Sequence, residues 1–295
     1  MRTLITGATG LVGSALLQSL HGKGQTLHCL RHGDGAAGSG MWPEEPFVAD
    51  DDGQGFDTVI HLAGENVAQG RWTTARKQRI MESRVVGTRQ LIGRLASLPR
   101  PPETVICASA VGYYGNRGDE VMTERSTAGA TFLAKVCQAW EEEAGKARQL
   151  GCRVVNLRFG MVLSPHGGAL HKMLPAFRAG LGGRIGAGDQ FMSWISIRDL
   201  VEIVDFCIHD AAISGPVNVV SPVPVSNREF SRCLASVLRR PAFLPAPATV
   251  LRLIFGEMAD EMLLASSRVI PGKLQQAGYS FQDINLVDTL RYCLG

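Results

Sequence analysis

The sequence predicts an α/β protein with a doubly wound parallel sheet, Rossmann-like in type, and a smaller C-terminal lobe. In the first half, short apolar runs alternate with helical patterns. These runs lack the apolar–polar alternation of a half-exposed sheet, so helices are expected to cover both faces. A glycine-rich turn also separates the first apolar run from the first helical pattern. The second half is less regular, and it is expected to form the smaller lobe beside the carboxyl edge of the sheet.

The elements follow this order from the N-terminus. The predicted strands are "RTLIT", "QTLHCL", "DTVIHLAG", "ETVICAS" and "CRVVNLRFG". Helical patterns run from Leu11 to His21, from Thr73 to Leu98 and from Phe132 to Ala144. Further on, "GPVNVVS" is predicted to be a strand, and the helix from Ser226 to Arg239 starts at a favourable capping residue.

Composition excludes several classes of protein. The net charge of +3 comes without a Lys/Arg cluster among aromatic residues, so a nucleic-acid surface is not predicted. Seven cysteines without a Cys-x-x-Cys pair indicate neither a disulfide framework nor a metal site, and we expect a reducing, cytoplasmic location. No apolar run approaches the roughly 20 residues that a membrane span needs. The opening "MRTLITG" already resembles a strand and leaves no room for a signal peptide.

The turn "ITGATGLVG" has the form of a dinucleotide-binding loop. Gly7 permits a tight turn, Gly10 lets a pyrophosphate approach the backbone, and Gly13 lets helix and strand pack closely. The phosphates would lie at the helix N-terminus, where free N–H groups and the helix dipole favour negative charge. The predicted cofactor contacts in this loop are Gly7, Thr9, Gly10, Leu11, Val12 and Gly13.

The end of the second predicted strand indicates which dinucleotide is bound. A carboxylate there would bond the ribose 2′-hydroxyl of NAD, whereas an arginine would accept the 2′-phosphate of NADP. The sequence places Leu30 and Arg31 at this point, and Asp34 comes later. A guanidinium pairs well with phosphate, so NADP (as NADPH) is favoured over NAD.

With these motifs the chain resembles an extended, epimerase-like short-chain dehydrogenase/reductase, and more narrowly the atypical YfcH-like subgroup. The resemblance covers nearly the whole chain, including a C-terminal module of unknown function. The motifs that carry it are "ITGATGLVG", "VIHLAGENVAQGRW", "ESRVVGT", "SAVGYYG", "FLAKVCQAWE", "LRFGMVLSPHGGAL", "GRIGAGDQFMSWISIRDL" and "FLPAPATVLRLIFGEMADEMLLASSRVIPGKL".

The resemblance implies further cofactor contacts. The segment Leu62, Ala63 and Gly64 would pass beside the adenosine half of the cofactor. Arg84 stands where ordinary members have an asparagine, and it would reach the phosphates or a ribose. Val162 would contact the nicotinamide through its backbone.

The resemblance also indicates catalytic candidates, although the usual tyrosine is absent. Family members carry a tyrosine and, four residues on, a lysine on the helix that here runs from Phe132 to Ala144. One alignment pairs Thr131 with Lys135, and another pairs Leu133 with Cys137; neither supplies a tyrosine. The helix is therefore predicted to be structural.

The remaining catalytic candidates are Ser109 and Tyr113. Ser109 would bond the substrate carbonyl, with an alignment uncertain by one position. Tyr113 would act as a substitute acid from the loop that follows.

Two functions fit these observations. The first is an NADP-dependent oxidoreductase or epimerase acting on a small polar substrate such as a sugar nucleotide. The second is a non-catalytic NADP(H)-binding sensor or scaffold. We expect an NADP-binding Rossmann-like domain over residues 1–165, with a sheet that continues through 216–221, a substrate-side lobe over 166–240 and a helical module over 241–295. The expected partners are the dinucleotide and an unidentified small molecule, in a monomer or homodimer.

Overall fold

The centre of the molecule is a parallel sheet to which the described residues contribute six strands. The structure is a computed structural model that describes residues 1–30 and 55–295. In chain order the strands are β1 (Arg2–Thr6), β2 (Thr26–Leu30), β3 (Thr58–His61), β4 (Thr104–Ala110), β5 (Val121–Met122), β6 (Arg153–Phe159), β7 (Met161–Leu163), β8 (Phe191–Met192), β9 (Trp194–Ser196), β10 (Gly215–Val219), β11 (Val225–Ser226) and β12 (Arg268–Val269). The sheet has the strand order β10–β6–β4–β3–β1–β2.

Helices cover both faces of this sheet. In chain order the helices of the described residues are α1 (Leu11–Gly22), α2 (Thr74–Ala96), α3 (Phe132–Gly145), α4 (Gly168–Arg178), α5 (Ile197–His209), α6 (Asn227–Leu238), α7 (Ala248–Phe255), α8 (Gly272–Gln276) and α9 (Leu286–Leu294), and the sheet is covered by α1 and α5 on one face and by α2 and α3 on the other. Side chains that accept first-turn N–H groups start several of them. Ser226, for example, accepts from the Glu229 N–H at 3.1 Å at the start of α6, as its sequence predicts.

Two apolar cores lie on opposite faces of the sheet. On one face Leu16 of α1 and Leu200 of α5 pack with Ile60 of β3. On the other, Leu91 of α2 and Trp140 of α3 pack with Val59. Consecutive β3 side chains thus enter different cores, which is why the strand reads as continuously apolar. The predicted doubly wound fold is confirmed.

The second half of the chain forms a further core and returns to the first half. Trp194, Phe230 and Leu290 bring together β9, α6 and α9. The segment before Trp194 looks irregular in sequence, yet it contains β8, which pairs with β11. Strand β12 pairs in parallel with β5, so the C-terminal residues contact the loop that follows β4.

Across residues 1–30 and 55–295, no helix combines the length and apolar character needed to cross a bilayer.

Candidate functional site

The glycine turn after β1 is shaped by backbone contacts that exclude side chains. Gly7 has a φ of +71°, and a Cβ added there would lie 2.8 Å from the Ala63 nitrogen. A Cβ at Gly13 would lie 2.3 Å from the Gly7 carbonyl oxygen. Both positions therefore require glycine. The turn brings the start of α1 against the end of β3, at the carboxyl edge of the sheet.

The N-terminus of α1 lacks a capping side chain. Gly10 occupies the capping position in extended conformation, and no side-chain hydrogen bond caps the helix. Thr9 and Gly10 are exposed, whereas Leu11 and Val12 are partly buried. The first-turn N–H groups of an α-helix have no partner within the helix. This end of α1 therefore suits an anion such as a phosphate.

A buried hydroxyl fixes the segment that faces the glycine turn. The Thr6 Oγ accepts from the N–H groups of Leu62, at 3.2 Å, and Ala63, at 3.3 Å. It also lies 2.7 Å from the Nδ1 of His61, whose Nε2 lies 3.0 Å from the Thr88 hydroxyl. His61 is thus a satisfied core histidine, and its contacts hold residues 62–64 in place.

Arg84 projects from α2 towards residues 62–64, and its guanidinium forms no ion pair with any of the described residues. Its Nη1 donates to the carbonyls of Glu65, at 3.1 Å, and Ile80, at 3.2 Å. Its Cζ lies 4.9 Å from the Trp140 ring centroid and would lie 3.1 Å from a Cβ added at Gly64. Within the described residues, no carboxylate lies within 4 Å of its guanidinium. Loss of hydration lowers the pKa of Arg84, although an arginine stays charged at neutral pH.

The other predicted cofactor contacts are distributed around the same edge. Leu30 ends β2 and is partly buried. Arg31 lies outside the described residues, so its part in cofactor choice stays a sequence-based prediction. Val162 lies in β7, is partly buried, and packs against the core beneath α1.

In the family that the chain resembles, the catalytic tyrosine lies on the helix that corresponds to α3. Thr131 accepts from the Ala134 N–H at 3.2 Å and so caps the helix, while Lys135 is exposed. Cys137 faces the sheet, and burial raises the pKa of its thiol to about 11. The inward face therefore carries Leu133 and Cys137, and neither offers a proton at neutral pH. That the helix is structural stays a sequence-based prediction.

A residue from the C-terminal segment binds the start of α3. The two carboxylate oxygens of Glu261 accept the N–H groups of Phe132 and Leu133, each at 2.8 Å. Glu261 lies on a π-helical turn, Ala259–Leu263. Beside it, Glu257 forms an ion pair with Lys77 of α2. Residues 257–261 thus connect α2 and α3 from outside the sheet.

Ser109 belongs to a buried polar network. Its hydroxyl donates to the Glu141 carboxylate at 2.7 Å, and only 3% of the residue is exposed. Glu141 also accepts two hydrogen bonds from Arg158, at 2.8 Å from Nε and 2.7 Å from Nη2. Burial lowers the pKa of Arg158, but Glu141 and Tyr114 outweigh that effect and raise it. The Ser109 hydroxyl, which the family resemblance assigns to a substrate carbonyl, donates here to Glu141 instead.

The two neighbouring tyrosines have different environments. Tyr114 is fully buried, accepts from Arg158 at 2.9 Å and donates to Asn218 at 2.6 Å. Burial raises the pKa of Tyr114 to about 12, so it is a poor acid near neutral pH. The Tyr113 ring lies under the Arg158 guanidinium, 3.4 Å from centroid to Cζ. Tyr113 is partly buried, and its hydroxyl has no hydrogen-bond partner among the described residues.

Sequence reasoning did not find Glu141, Arg158 or Glu261. One signal was available, since Arg158 is a charged residue inside the apolar run "RVVNLRF", and a buried charge needs a partner. No such signal marks Glu261, which is one acid among several in an exposed-looking tail.

Within the described ranges, no group of three or more His, Cys, Asp or Glu side chains is arranged to hold a metal ion.

Comparison with known proteins decides the family. Residues 3–220 match the model of the NAD-dependent epimerase/dehydratase family. The chain belongs to this family. Residues 246–293 match a domain of unknown function, DUF1731. The resemblance inferred from the sequence motifs is therefore confirmed.

Several proteins that are similar to this chain align with almost all of it. The epimerase family protein Mb2239 of Mycobacterium bovis is 42% identical over 98% of this chain and 96% of its own length. The chloroplastic SDR39U1 homolog of Arabidopsis thaliana is 33% identical, over 99% of this chain and 86% of its own. The crystal structure of human epimerase family protein SDR39U1 with NADPH has a TM-score of 0.87 and 32% identity, and covers 99% of both chains. Thermus thermophilus UDP-glucose 4-epimerase in complex with NAD, at 20% identity and a TM-score of 0.72, covers 99% of both chains and shares the fold.

The buried ion pair predicts a large effect for Glu141→Gln. The change leaves the Arg158 charge buried without a counter-charge, which costs about 3–5 kcal/mol in free energy of unfolding. Urea denaturation followed by circular dichroism measures this loss. Glu142→Gln, on the exposed neighbouring residue, is the matched control and should change stability by less than about 0.5 kcal/mol. Equal midpoints for the two variants would contradict the role given to the pair.

Proposed function

We propose that the chain is an NADP(H)-dependent oxidoreductase or epimerase that acts on a small polar substrate, such as a sugar nucleotide. The observation that carries this proposal is the uncapped start of α1 behind a turn that only glycine can form, with the cation of Arg84 nearby. The NADPH bound by human SDR39U1, a relative over the full length of the chain, supports it.

The described residues fit a dinucleotide. The uncapped N–H groups of α1 suit the pyrophosphate, and the lack of a side chain at Gly10, where an added Cβ would lie 3.3 Å from the Gly7 oxygen, lets it approach. Residues 62–64, held by Thr6, would line the adenosine side, and Val162 the nicotinamide side. Arg84 would neutralise a phosphate or bond a ribose. When bound, the nicotinamide supplies the hydride chemistry.

Tyr113 is the group best placed to supply a proton. Its free hydroxyl follows β4 at the carboxyl edge of the sheet, where ligands bind in open α/β folds. Its ring is held against the Arg158 guanidinium, whose Cζ lies 3.4 Å from the ring centroid. Ser109 would take part as a substrate contact only if its hydroxyl turned away from Glu141.

Cofactor choice is predicted to depend on Arg31. Calorimetric titration with NADPH and NADH should show at least tenfold tighter binding of NADPH, about 1.4 kcal/mol. Arg31→Ala should remove this preference, because the 2′-phosphate loses its guanidinium partner, and should leave NADH affinity unchanged. A wild-type protein that binds both nucleotides equally would refute the NADP preference without refuting the dinucleotide site.

Arg84→Met is predicted to weaken NADPH and NADH alike. Methionine keeps the length and apolar stem of the side chain but loses the charge, and a hydrogen bond to a charged group contributes about 1.5–3 kcal/mol. We therefore expect at least a tenfold rise in Kd for both nucleotides by calorimetry. Arg89→Met removes an arginine on the same helix that pairs with Glu143 and is 58% exposed, so it is the matched control. Similar affinities for both variants would remove Arg84 from the site.

A non-catalytic NADP(H) sensor is the second candidate, and particular contacts favour it. The tyrosine position of α3 carries Thr131 or Leu133, depending on the alignment, and the Ser109 hydroxyl is held by Glu141. Residues 257–261 contact both α2 and α3, so a shift of α2 on nucleotide binding beside Arg84 would be transmitted to the C-terminal segment.

The two candidates differ in the predicted effect of Tyr113→Phe. If the chain is an oxidoreductase, NADPH consumption over a panel of small aldehydes and ketones should fall at least about 10²-fold, the usual contribution of a general acid. If it is an epimerase, which regenerates its cofactor in each cycle, the interconversion of UDP-hexoses should fall by the same factor. Tyr292→Phe, on a residue that is 61% exposed, should have no effect. NADPH binding without turnover, accompanied by slower hydrogen exchange over residues 256–263, would instead support the sensor.

A further inference from the structure

Three large apolar side chains are exposed on two neighbouring segments of the C-terminal half. Leu181, which follows α4, is 63% exposed. Phe243 and Leu244, between α6 and α7, are 74% and 46% exposed. Scattered exposed apolar residues are ordinary, but a group of them on one surface marks a site of interaction. We call these three residues the apolar tip.

Backbone contacts bring the two segments of the apolar tip together. A Cβ added at Gly180 would lie 3.5 Å from the Pro241 Cγ. The backbone at Gly183 packs directly on the backbone of Leu244, with no room for a side chain between them. The residue between the two glycine contacts, Leu181, therefore shares a surface with Phe243 and Leu244.

Three arginines flank the apolar tip. Arg178 lies in the last turn of α4, and Arg239 and Arg240 follow the last turn of α6. All three are exposed, and their side chains form no hydrogen bond or ion pair with the part of the chain that the structure describes. We call the apolar tip and these arginines together the apolar–basic patch.

The apolar–basic patch has an excess of positive charge. Residues 144–188 and 230–256, from which it is built, contain no Asp or Glu. The carboxyl ends of α4 and α6 carry roughly half a negative charge each, so roughly two of the three positive charges are left without compensation.

The backbone at Arg239 indicates that its side chain has a use. Outside glycine, Arg239 alone among the described residues has left-handed backbone, with a φ of 52° and a ψ of 45°. Helices that end in this conformation usually have glycine there, because a Cβ crowds the neighbouring carbonyl. Arginine is thus present where the backbone disfavours it, and such strain is typical of functional positions.

The charge of the patch decides what covers it. A second copy related by two-fold symmetry would place the patch against itself, and the arginines of both copies would repel each other. An anionic lipid surface instead offers phosphates to the guanidinium groups. Just beneath the phosphates it offers an apolar region to the phenylalanine and the leucines.

We propose that the apolar–basic patch binds the surface of a membrane that contains anionic lipids. The guanidinium groups of Arg178, Arg239 and Arg240 contact lipid phosphates, and the Phe243 ring enters the boundary between headgroups and acyl chains. This association is peripheral and requires no membrane-spanning helix. It depends neither on dinucleotide binding nor on catalysis.

The test is co-sedimentation of the full chain with vesicles, at low and physiological salt. One set of vesicles is phosphatidylcholine alone, and the other is equal parts of phosphatidylcholine and phosphatidylserine. We expect the wild type to bind the anionic vesicles at least tenfold more tightly. Arg239→Gly/Arg240→Gln should weaken this binding at least tenfold, because each arginine near an anionic surface contributes about fivefold. Phe243→Ser should weaken it at least fivefold even at physiological salt, since salt screens charge but not apolar burial.

The single variant Arg239→Gly separates lipid binding from folding. Glycine suits left-handed backbone, so the urea midpoint should not fall while the affinity for anionic vesicles does. A fall in both would give the Arg239 side chain a structural role and overturn its assignment to lipid.

The matched control is Arg125→Gln/Arg148→Gln. It removes two exposed arginines from other segments, the loop after β5 and the turn after α3, and should bind vesicles as the wild type does. Equal weakening in the two double variants would show a general charge effect and overturn the proposal. A wild type that does not sediment with anionic vesicles would overturn it too. Binding to polyglutamate that is as tight as binding to these vesicles, and unchanged by Phe243→Ser, would assign the patch to an acidic protein instead of a lipid surface.

Discussion

The buried ion pair between Arg158 and Glu141 organises the carboxyl ends of β4 and β6. Removing two charges from water is costly, and the cost is offset only when geometry and further hydrogen bonds are favourable. Here Ser109 donates to the same carboxylate, and Tyr114 accepts from the same guanidinium. The pair thereby connects β4, β6, α3 and the turn after β4 through polar contacts that apolar packing could not specify.

The network extends to the end of the chain. Tyr114 donates to Asn218 of β10, whose side-chain amide donates to the Ile270 carbonyl at 3.0 Å. Ser109, Arg158 and Asn218 are level with one another on adjacent parallel strands, which explains why their side chains meet. The position of Tyr113, stacked on Arg158, follows from this alignment.

The sequence predicts local features well and long-range contacts poorly. The glycine turn, the strands around it and the Ser226 cap follow from residues close together in the chain. Arg158 can be recognised as a charge in a buried strand, but its partner depends on how α3 lies over β4 and β6. Glu261 is separated from Phe132 by 129 residues, so no local pattern connects them. The strand order and these polar contacts therefore require the three-dimensional structure.

The strand order also bears on how the chain folds during synthesis. The edge strand β10 pairs with β6, and β12 pairs with β5, so non-local contacts complete the sheet and its polar network. At the usual rate of synthesis, roughly 6–20 s separate the appearance of Arg158 from that of Ile270. During this interval Arg158 can pair with Glu141, but the hydrogen bond from the Asn218 side chain to the Ile270 carbonyl cannot yet form. A chain that ends before Ile270 would therefore contain every strand of the central sheet, yet the Asn218 amide would lack the carbonyl to which it donates.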